Sequence, residues 1–209
     1  MLRFYCKIKP KTRMAPQRLS KLVRFLKEIE KLKLVQRRVM VSSKKRWESS
    51  AEHSWDLAMW VWILSPDLPK GLDLLRTLKL VLMHDLVEIY AGDTFFFDHA
   101  ARKTKKARED KAAKKLFKQA PPELKKELEK LWLEFESGRT KEAKVAKSVD
   151  RLQPILQNIL TGGVSWKKNH ITGEFIHAHK REHMQHERSI SQLYDVLIQE
   201  AKKAKLLDF

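Results

Sequence analysis

The sequence predicts an all-α protein with a single domain, and three observations support this prediction. The 209 residues include only six Gly and seven Pro, so turn-forming residues are scarce. In several segments, apolar residues recur at steps of three and four, which is the spacing of one face of a helix. No segment alternates between apolar and polar residues clearly enough to predict a strand. The length suffices for one domain with a sizeable core.

The first three predicted helices have recognisable ends. Residues 16–33 form an amphipathic helix that Pro16 opens, and the basic residues 37–47 that follow have no clear period. The second helix starts at residues 49–52, where a Ser hydroxyl and Glu52 suit a capping box, and it stops at Ser65-Pro66. The third helix spans residues 71–91, and Gly92 closes it.

Five more helices are predicted, at residues 100–119, 123–136, 141–160, 172–186 and 189–206. Pro121-Pro122 and Gly138 separate the first three of these, and Pro154 is expected to kink the third. The aromatic run Phe95–Phe97 lies ahead of them and has two interpretations. We favour a loop plug packed on the core, and the alternative is one wall of a substrate pocket.

The positive charge is large and unevenly distributed. The net charge is +18, and residues 1–46 contain 16 Lys and Arg but only two acids, a net of +14. Such charge attracts the phosphates of a nucleic acid or of a small substrate. We favour a lysine-rich surface without a nucleic-acid partner. Residues 1–15 are expected to be a basic arm, for which disorder is one option, and residues 16–209 the domain.

The composition also bears on the compartment. Cys6 is the single cysteine, so an internal disulfide framework is excluded and a reducing compartment fits. The longest apolar stretch, residues 57–64, is far too short to span a membrane. Residues 1–13 have scattered charges and no continuous apolar core, so we expect no signal peptide. The expectation is a cytoplasmic protein without a membrane partner.

Three polar clusters interrupt otherwise apolar helices and point to a metal. They are Ala51-Glu52-His53-Ser54, His84-Asp85-x-x-Glu88 and Val149-Asp150-Arg151. Spacings of three and four residues bring His84, Asp85 and Glu88 to one helix face, where burial is costly unless a cation compensates it. His53 and Asp150 are the natural completions of the shell. Two nitrogens and two oxygens suit Mn, Fe, Co, Ni or Zn better than Ca.

Each candidate ligand also has an ordinary structural explanation. His53 could be a core histidine with a satisfied proton, and Asp150 could be the partner of Arg151. Taken singly, these explanations would be favoured, but the joint presence of the three clusters favours a metal. A second histidine group has no acid or thiol to complete it, and we interpret it as chance clustering on a solvated face; its members are His177, His179, His183 and His186.

The arrangement of these residues resembles one protein superfamily. The order His53…His84-Asp85…Asp150, with Glu88 and Gly92-Asp93 attached, is similar to that of the HD-domain superfamily. The similarity is closest to the branch that contains the bacterial 5′-deoxynucleotidases, and it runs from about residue 19 to about residue 201. It includes Leu32-Lys33-Leu34-Val35-Gln36-Arg37, Asp150-Arg151-Leu152-Gln153-Pro154 and Thr161-Gly162-Gly163-Val164-Ser165-Trp166. The resemblance implies a single HD-domain helical bundle with its metal site among the central helices.

The resemblance also implies roles for individual residues. One divalent metal ion would be bound by His53, His84, Asp85 and Asp150. Glu88 matches an acid that activates or positions the attacking water, and Asp93 matches an acid at the pocket rim. Arg37 matches an arginine that grips the phosphate. The next residue is aromatic in the nucleotidases but is Arg38 here, which puts the preference for deoxyribose in doubt.

The expected function is a metal-dependent phosphoric monoester hydrolase, a 5′-(deoxy)nucleotidase that converts nucleoside 5′-monophosphates to nucleoside and phosphate. Two alternatives remain open. One is an HD hydrolase of nucleoside triphosphates, cyclic nucleotides or alarmones, and the other is a non-catalytic basic protein that binds nucleic acid. A homodimer is expected because the family commonly pairs and because Trp60 and Trp62 would leave apolar surface uncovered.

Overall fold

The computed structural model describes residues 15–208, which form helices, connecting loops and one short hairpin. The helices are α1 (Pro16–Ile29), α2 (Ser50–Leu64), α3 (Leu74–Met83), α4 (Glu88–Ala91), α5 (His99–Phe117), α6 (Pro122–Ser137), α7 (Lys141–Leu160), α8 (Val164–Lys168), α9 (Gly173–Lys180) and α10 (Arg188–Lys203). The all-α prediction is confirmed. The predicted basic arm, residues 1–15, lies outside the described residues except for Ala15.

The hairpin was not predicted from the sequence. Strands β1 (Gln36–Met40) and β2 (Trp47–Ser49) pair antiparallel, with an irregular register between Gln36 and Met40. Within β1 only Val39 is buried, so the strand is too short and too basic to show an alternating pattern. The hairpin matters because it brings Arg37 and Arg38 against the helices.

Two predicted helices are shorter than expected because their winding tightens. Residues 71–91 divide into α3, a 3₁₀ turn at His84–Val87, and α4, and the first of these begins only after Asp73 caps the backbone N–H of Arg76. Residues 172–186 divide into α9 and a second 3₁₀ turn at Arg181–Met184. The 3₁₀ turn at His84–Val87 contains two of the predicted metal ligands, His84 and Asp85. The change from α-helical to 3₁₀ winding therefore falls at the candidate site.

Other predicted boundaries are confirmed. At the start of α2, the Ser49 hydroxyl accepts from the backbone N–H of Glu52, and the Glu52 carboxylate accepts from the backbone N–H of Ser49. This is the capping box expected at this position. Gly138 ends α6 in the left-handed conformation, with φ of 60°. Pro154 lies inside α7, which continues as helix to Leu160.

Helices α2, α3 and α7 pack together at the centre, and α7 separates two apolar clusters. Ala143, Ala146 and Val149 of α7 join the cluster formed with α2, α3, α5 and α6. Leu152 and Ile155 join the cluster formed with α8, α9 and α10. The centre is therefore held rigidly from both sides. No helix within residues 15–208 is both long and apolar enough to cross a membrane.

Candidate metal centre and substrate pocket

The four predicted metal ligands come together from three elements. His53 lies on α2, His84 and Asp85 on the 3₁₀ turn after α3, and Asp150 on α7. Nε2 of His53 lies 3.0 Å from Oδ1 of Asp150, and Nε2 of His84 lies 3.0 Å from Oδ1 of Asp85. One ligand atom each of His53, His84 and Asp150 lies within 4.8 Å of the others. The packing of the three central helices thus brings together His53, His84 and Asp150, and Asp85 lies beside this group through its contact with His84.

The protonation of His84 is set by its neighbours. Its Nδ1 lies 2.7 Å from the carbonyl oxygen of Val81, so this nitrogen must donate. In the neutral ring, Nε2 then carries a lone pair. That nitrogen is buried, has no hydrogen-bond partner, and faces Asp85 and, at 3.7 Å, Asp150. A lone pair aimed at carboxylates is unfavourable unless a proton or a metal ion lies between them.

His53 repeats this arrangement. Its Nδ1 lies 3.0 Å from Oε1 of Gln153, whose amide nitrogen donates to Glu48 at 2.8 Å and to Asp56 at 2.9 Å. The two acids fix the orientation of the amide, so Nδ1 of His53 is the donor and Nε2 presents its lone pair to Asp150. Such second contacts typically fix the tautomer of a metal-binding histidine. The donor set therefore fits a divalent cation.

The acids favour positive charge at this centre. Burial lowers the pKa of His84, but Asp85 and Asp150 outweigh burial and raise the pKa to about 10. Burial raises the pKa of Asp150, but its contacts with the imidazoles of His53 and His84 bring the pKa well below its usual value. Either a proton or a metal ion can supply the charge that these groups require.

Arg37 lies on β1 among three carboxylates. Its Nη1 donates to Oδ2 of Asp85 at 3.2 Å and lies 4.0 Å from Oδ1 of Asp93, and its Nε lies 3.2 Å from Oε2 of Glu48. The guanidinium is largely buried, at 13% side-chain exposure. Arg37 thus orients the second oxygen of Asp85, and its charge is compensated by protein acids.

Glu88 is buried beside the cluster. Oε2 of Glu88 accepts from the Ser50 hydroxyl at 2.7 Å. Burial raises the pKa of Glu88 well above its usual value, and the negative charges of Asp85 and Asp93 raise it further. Burial also raises the pKa of Asp93, with Arg37 acting in the opposite direction. Glu88 and Asp93 are therefore proton-binding groups next to the candidate metal centre.

One cavity of about 320 Å³ adjoins the candidate metal centre, and its polar lining includes His84, Asp85, Glu88, Asp93 and Asp150. Its aromatic lining includes Phe95, Phe96, Phe97, Trp132, Phe135 and Trp166, and its cationic lining includes Arg37, Arg38, Arg102, Lys105, Arg151 and Lys180. The favoured interpretation of Phe95–Phe97 as a core plug is therefore wrong, because the three rings are half-buried and line the cavity. Arg38 is exposed and lies 5.7 Å from the centre of the Phe95 ring.

Several residues of the site had no signal in the sequence. Glu48 and Gln153 fix His53, although the spacing of Gln153 three residues after Asp150 could have indicated a shared helix face. Lys180 lies at the end of α9, and its Nζ donates to the carbonyl oxygen of Arg151 at 2.7 Å. Burial lowers the pKa of Lys180 to about 8; Asp150 opposes this shift, and nearby cations add to it.

The second histidine group does not converge. His186 lies 2.8 Å from the Ser148 hydroxyl, whereas His179 stacks on Phe175 with ring centres 4.0 Å apart. Within residues 15–208, the one group of at least three metal-binding side chains is formed by His53, His84 and Asp150. The interpretation of the second group as chance clustering is consistent with this arrangement.

The fold and the sequence define the class of protein. A family model described as HD domain matches residues 29–192, which is most of the chain. The chain therefore belongs to the HD domain family, and the resemblance noted in the sequence is confirmed.

Individual relatives are similar over most of the domain. The chain is 34% identical over 137 residues to the Mus musculus protein named 5′-deoxynucleotidase HDDC2, covering 65% of this chain and 67% of the relative. It is 33% identical over 149 residues to the Bos taurus protein of the same name, covering 71% of each. A crystal structure of a "predicted metal-dependent phosphohydrolase" from Magnetospirillum magnetotacticum MS-1 superposes with a TM-score of 0.85 at 34% identity, covering 92% of this chain and 96% of that one.

Proposed function

We propose that this protein is a divalent-metal-dependent phosphohydrolase that converts nucleoside 5′-monophosphates to nucleoside and phosphate. The observation that carries the proposal is the convergence of ligand atoms of His53, His84 and Asp150 within 4.8 Å of one another, beside a cavity with a cationic and aromatic lining. The names of the mouse and cattle relatives support a nucleotidase. The volume of about 320 Å³ is at the small end for ligand pockets, which favours a small substrate over a polymer.

One divalent ion, chosen from Mn, Co, Fe, Ni and Zn, is assigned to His53, His84, Asp85 and Asp150. The shell of two imidazoles and two carboxylates is the kind that these metals accept, and it leaves positions for water and for a phosphate oxygen. When bound, the ion supplies positive charge for the phosphoryl oxygens and lowers the pKa of the attacking water. The contacts with Val81 and Gln153 make Nδ1 of each ring the hydrogen-bond donor, which leaves Nε2 as the nitrogen that would bind the ion.

Glu88 is assigned as the group that takes or orients the proton of the attacking water. Its carboxylate lies next to the metal ligands, and the Ser50 hydroxyl holds one of its oxygens. Asp93 is assigned to the rim, where it contacts the sugar or the water. Arg37 already binds Asp85 through Nη1, so only its remaining N–H groups are available to a phosphoryl oxygen. It therefore positions Asp85 as well as contacting substrate.

A screen of substrates and metals tests the proposal. Purified protein is incubated with each metal and with nucleoside mono-, di- and triphosphates, cyclic nucleotides and alarmones, and released phosphate is measured. The expected result is release of inorganic phosphate from monophosphates at a rate that chelation abolishes. The absence of release with every metal would contradict the proposal, and preferential use of triphosphates would replace monophosphates as its substrate.

Discrimination between ribose and deoxyribose is expected to be weak. Arg38 is exposed at the cavity, at the position where the resemblance to the bacterial 5′-deoxynucleotidases implies an aromatic ring, so the side chain at position 38 supplies no ring to exclude a 2′-hydroxyl. Rates on dAMP and AMP are expected to differ by less than about tenfold in the wild type, a difference of about one hydrogen bond. Arg38→Trp is expected to increase the preference for dAMP. Strong deoxy selectivity in the wild type would show that another residue, with Asp93 the next candidate, reads the sugar.

A homodimer is expected through the outer face of α2. Trp55, Trp62 and Ile63 lie at positions i, i+7 and i+8 and are 61%, 62% and 66% exposed, whereas Trp60 packs against the core. An apolar face of this kind is typical of a covered interface. Light scattering at micromolar concentration should give twice the chain mass, and Trp62→Lys should reduce it. A monomer mass for the wild type would contradict the prediction.

A further inference from the structure

Arg151 and Lys180, called here the cationic pair, lie in the cavity and form no ion pair with a carboxylate in the part of the chain that the structure describes. Both are half-buried, and both line the cavity. Nη1 of Arg151 donates to the carbonyl oxygen of Lys147 at 2.9 Å, and Nζ of Lys180 donates to the carbonyl oxygen of Arg151 at 2.7 Å. Among residues 15–208, no carboxylate oxygen forms an ion pair with either side chain. Both side chains therefore hydrogen-bond to neutral carbonyl oxygens, and the carboxylate of Asp150 acts on them only through space.

The other enclosed cations of the cavity differ in this respect. Arg37 lies among the carboxylates of Asp85, Glu48 and Asp93. Nζ of Lys105 lies 3.4 Å from Oε1 of Glu109. Because these two cations are neutralised by the protein, they contribute little net attraction for an anion. Among the half-buried cations that line the cavity in the described residues, Arg151 and Lys180 are thus the two without an ion pair to a carboxylate.

The cationic pair adjoins the candidate metal centre. Arg151 follows Asp150 directly on α7, and Lys180 ends α9, whose tip is tied to α7 by the lysine hydrogen bond. Lys180 is close enough to Asp150 and to Arg37 for both charges to shift its pKa. An anion between the pair and the centre would relieve the repulsion between the two cations and offset the cost of their burial.

We propose that Lys180 and Arg151 bind the phosphoryl group of the substrate and supply the charge that Arg37 cannot. This inference rests on the proposed function and assigns specificity for a phosphate dianion to α9 and α7. The lysine is a point charge that can contact one oxygen, while the guanidinium can bridge two. The pair is expected to act mainly in binding, so its loss should affect KM more than kcat.

The test measures binding of inorganic phosphate to the metal-loaded protein by titration calorimetry, with Lys180→Met, Lys180→Gln and Lys180→Arg as variants. Loss of a hydrogen bond to a charged group predicts phosphate binding weaker by about tenfold or more in the Met and Gln variants. Lys180→Arg should restore most of the affinity. Lys126→Met, on the exposed side of α6, is the control and should bind phosphate normally. The Gln variant keeps a polar group near the carbonyl of Arg151, so it decides the result if the Met variant is unstable.

The outcomes separate this inference from the proposed function. Normal phosphate affinity in folded Lys180→Gln, or wild-type protein that hydrolyses nucleotides but binds no phosphate, would overturn the role of the cationic pair. Wild-type protein that binds phosphate in a Lys180-dependent way but hydrolyses no nucleotide would overturn the proposed function and leave the anion site intact. The KM for dAMP, measured in parallel, should rise in the Lys180→Met and Lys180→Gln variants in proportion to their loss of phosphate affinity.

Discussion

Asp85→Ala is expected to abolish metal retention, and phosphate release from nucleoside monophosphates with it. Asp85 contributes one oxygen that lies 3.0 Å from Nε2 of His84 and a second that accepts from Arg37. Removal of the carboxylate therefore deletes a proposed ligand and also leaves the Arg37 guanidinium less compensated beside the site. Both changes oppose a bound cation, so the loss of activity should exceed about 10³-fold.

Elemental analysis after gel filtration measures the metal, and a matched surface variant controls for purification losses. Asp110→Ala removes a carboxylate that is 43% exposed on α5 and pairs with Lys106, so it should keep a full metal complement. The unfolding midpoint of the Asp85 variant, compared with that of chelated wild type, separates metal loss from misfolding. A full metal complement in a folded Asp85→Ala protein would remove Asp85 from the proposed shell.

The helices with regular apolar periodicity were predictable from the sequence, because burial of one apolar face determines where such a helix lies. Residues 141–160 were predicted as one helix and form α7, since apolar residues recur on a face that packs into both core clusters. The same regularity placed His53 and Asp150 on helices that meet, so the sequence could indicate their convergence. It could not give the orientation of the rings, because Gln153 and Val81 fix them through contacts across or along helices.

The deviations occur where tertiary contacts override local pattern. The 3₁₀ turn at His84–Val87 falls inside a segment whose apolar period continues, so periodicity alone predicts an unbroken helix. The environment of Arg37 depends on Glu48, Asp85 and Asp93, and both aspartates are distant in sequence from Arg37 and from Glu48. Lys180 is one of many lysines, and only the fold shows that it faces a cavity without an acidic partner.

Glu88→Gln is expected to keep the metal but lose most turnover. The amide has nearly the same shape as the carboxylate, and its oxygen can still accept from the Ser50 hydroxyl, which donates to Oε2 at 2.7 Å in the wild type. Glu88 is not one of the four proposed ligands, so metal content should stay near that of the wild type. The amide cannot take a proton from water, and general acid–base contributions predict a decrease in kcat of about 10² to 10⁴-fold.

Two further variants locate the effect. Ser50→Ala removes the hydrogen bond that orients Glu88 but leaves the carboxylate in place. We therefore expect kcat to fall by only about tenfold, which is typical of one hydrogen bond to a charged group. Asp93→Asn tests the neighbouring acid, whose raised pKa makes it the next proton-binding group. Near-normal kcat for Glu88→Gln together with a large loss of kcat for Asp93→Asn would assign the role of proton acceptor to Asp93. A large loss of kcat for Glu88→Gln with the metal retained would assign this role to Glu88. Loss of a purely structural contact would instead reduce the metal content and kcat together.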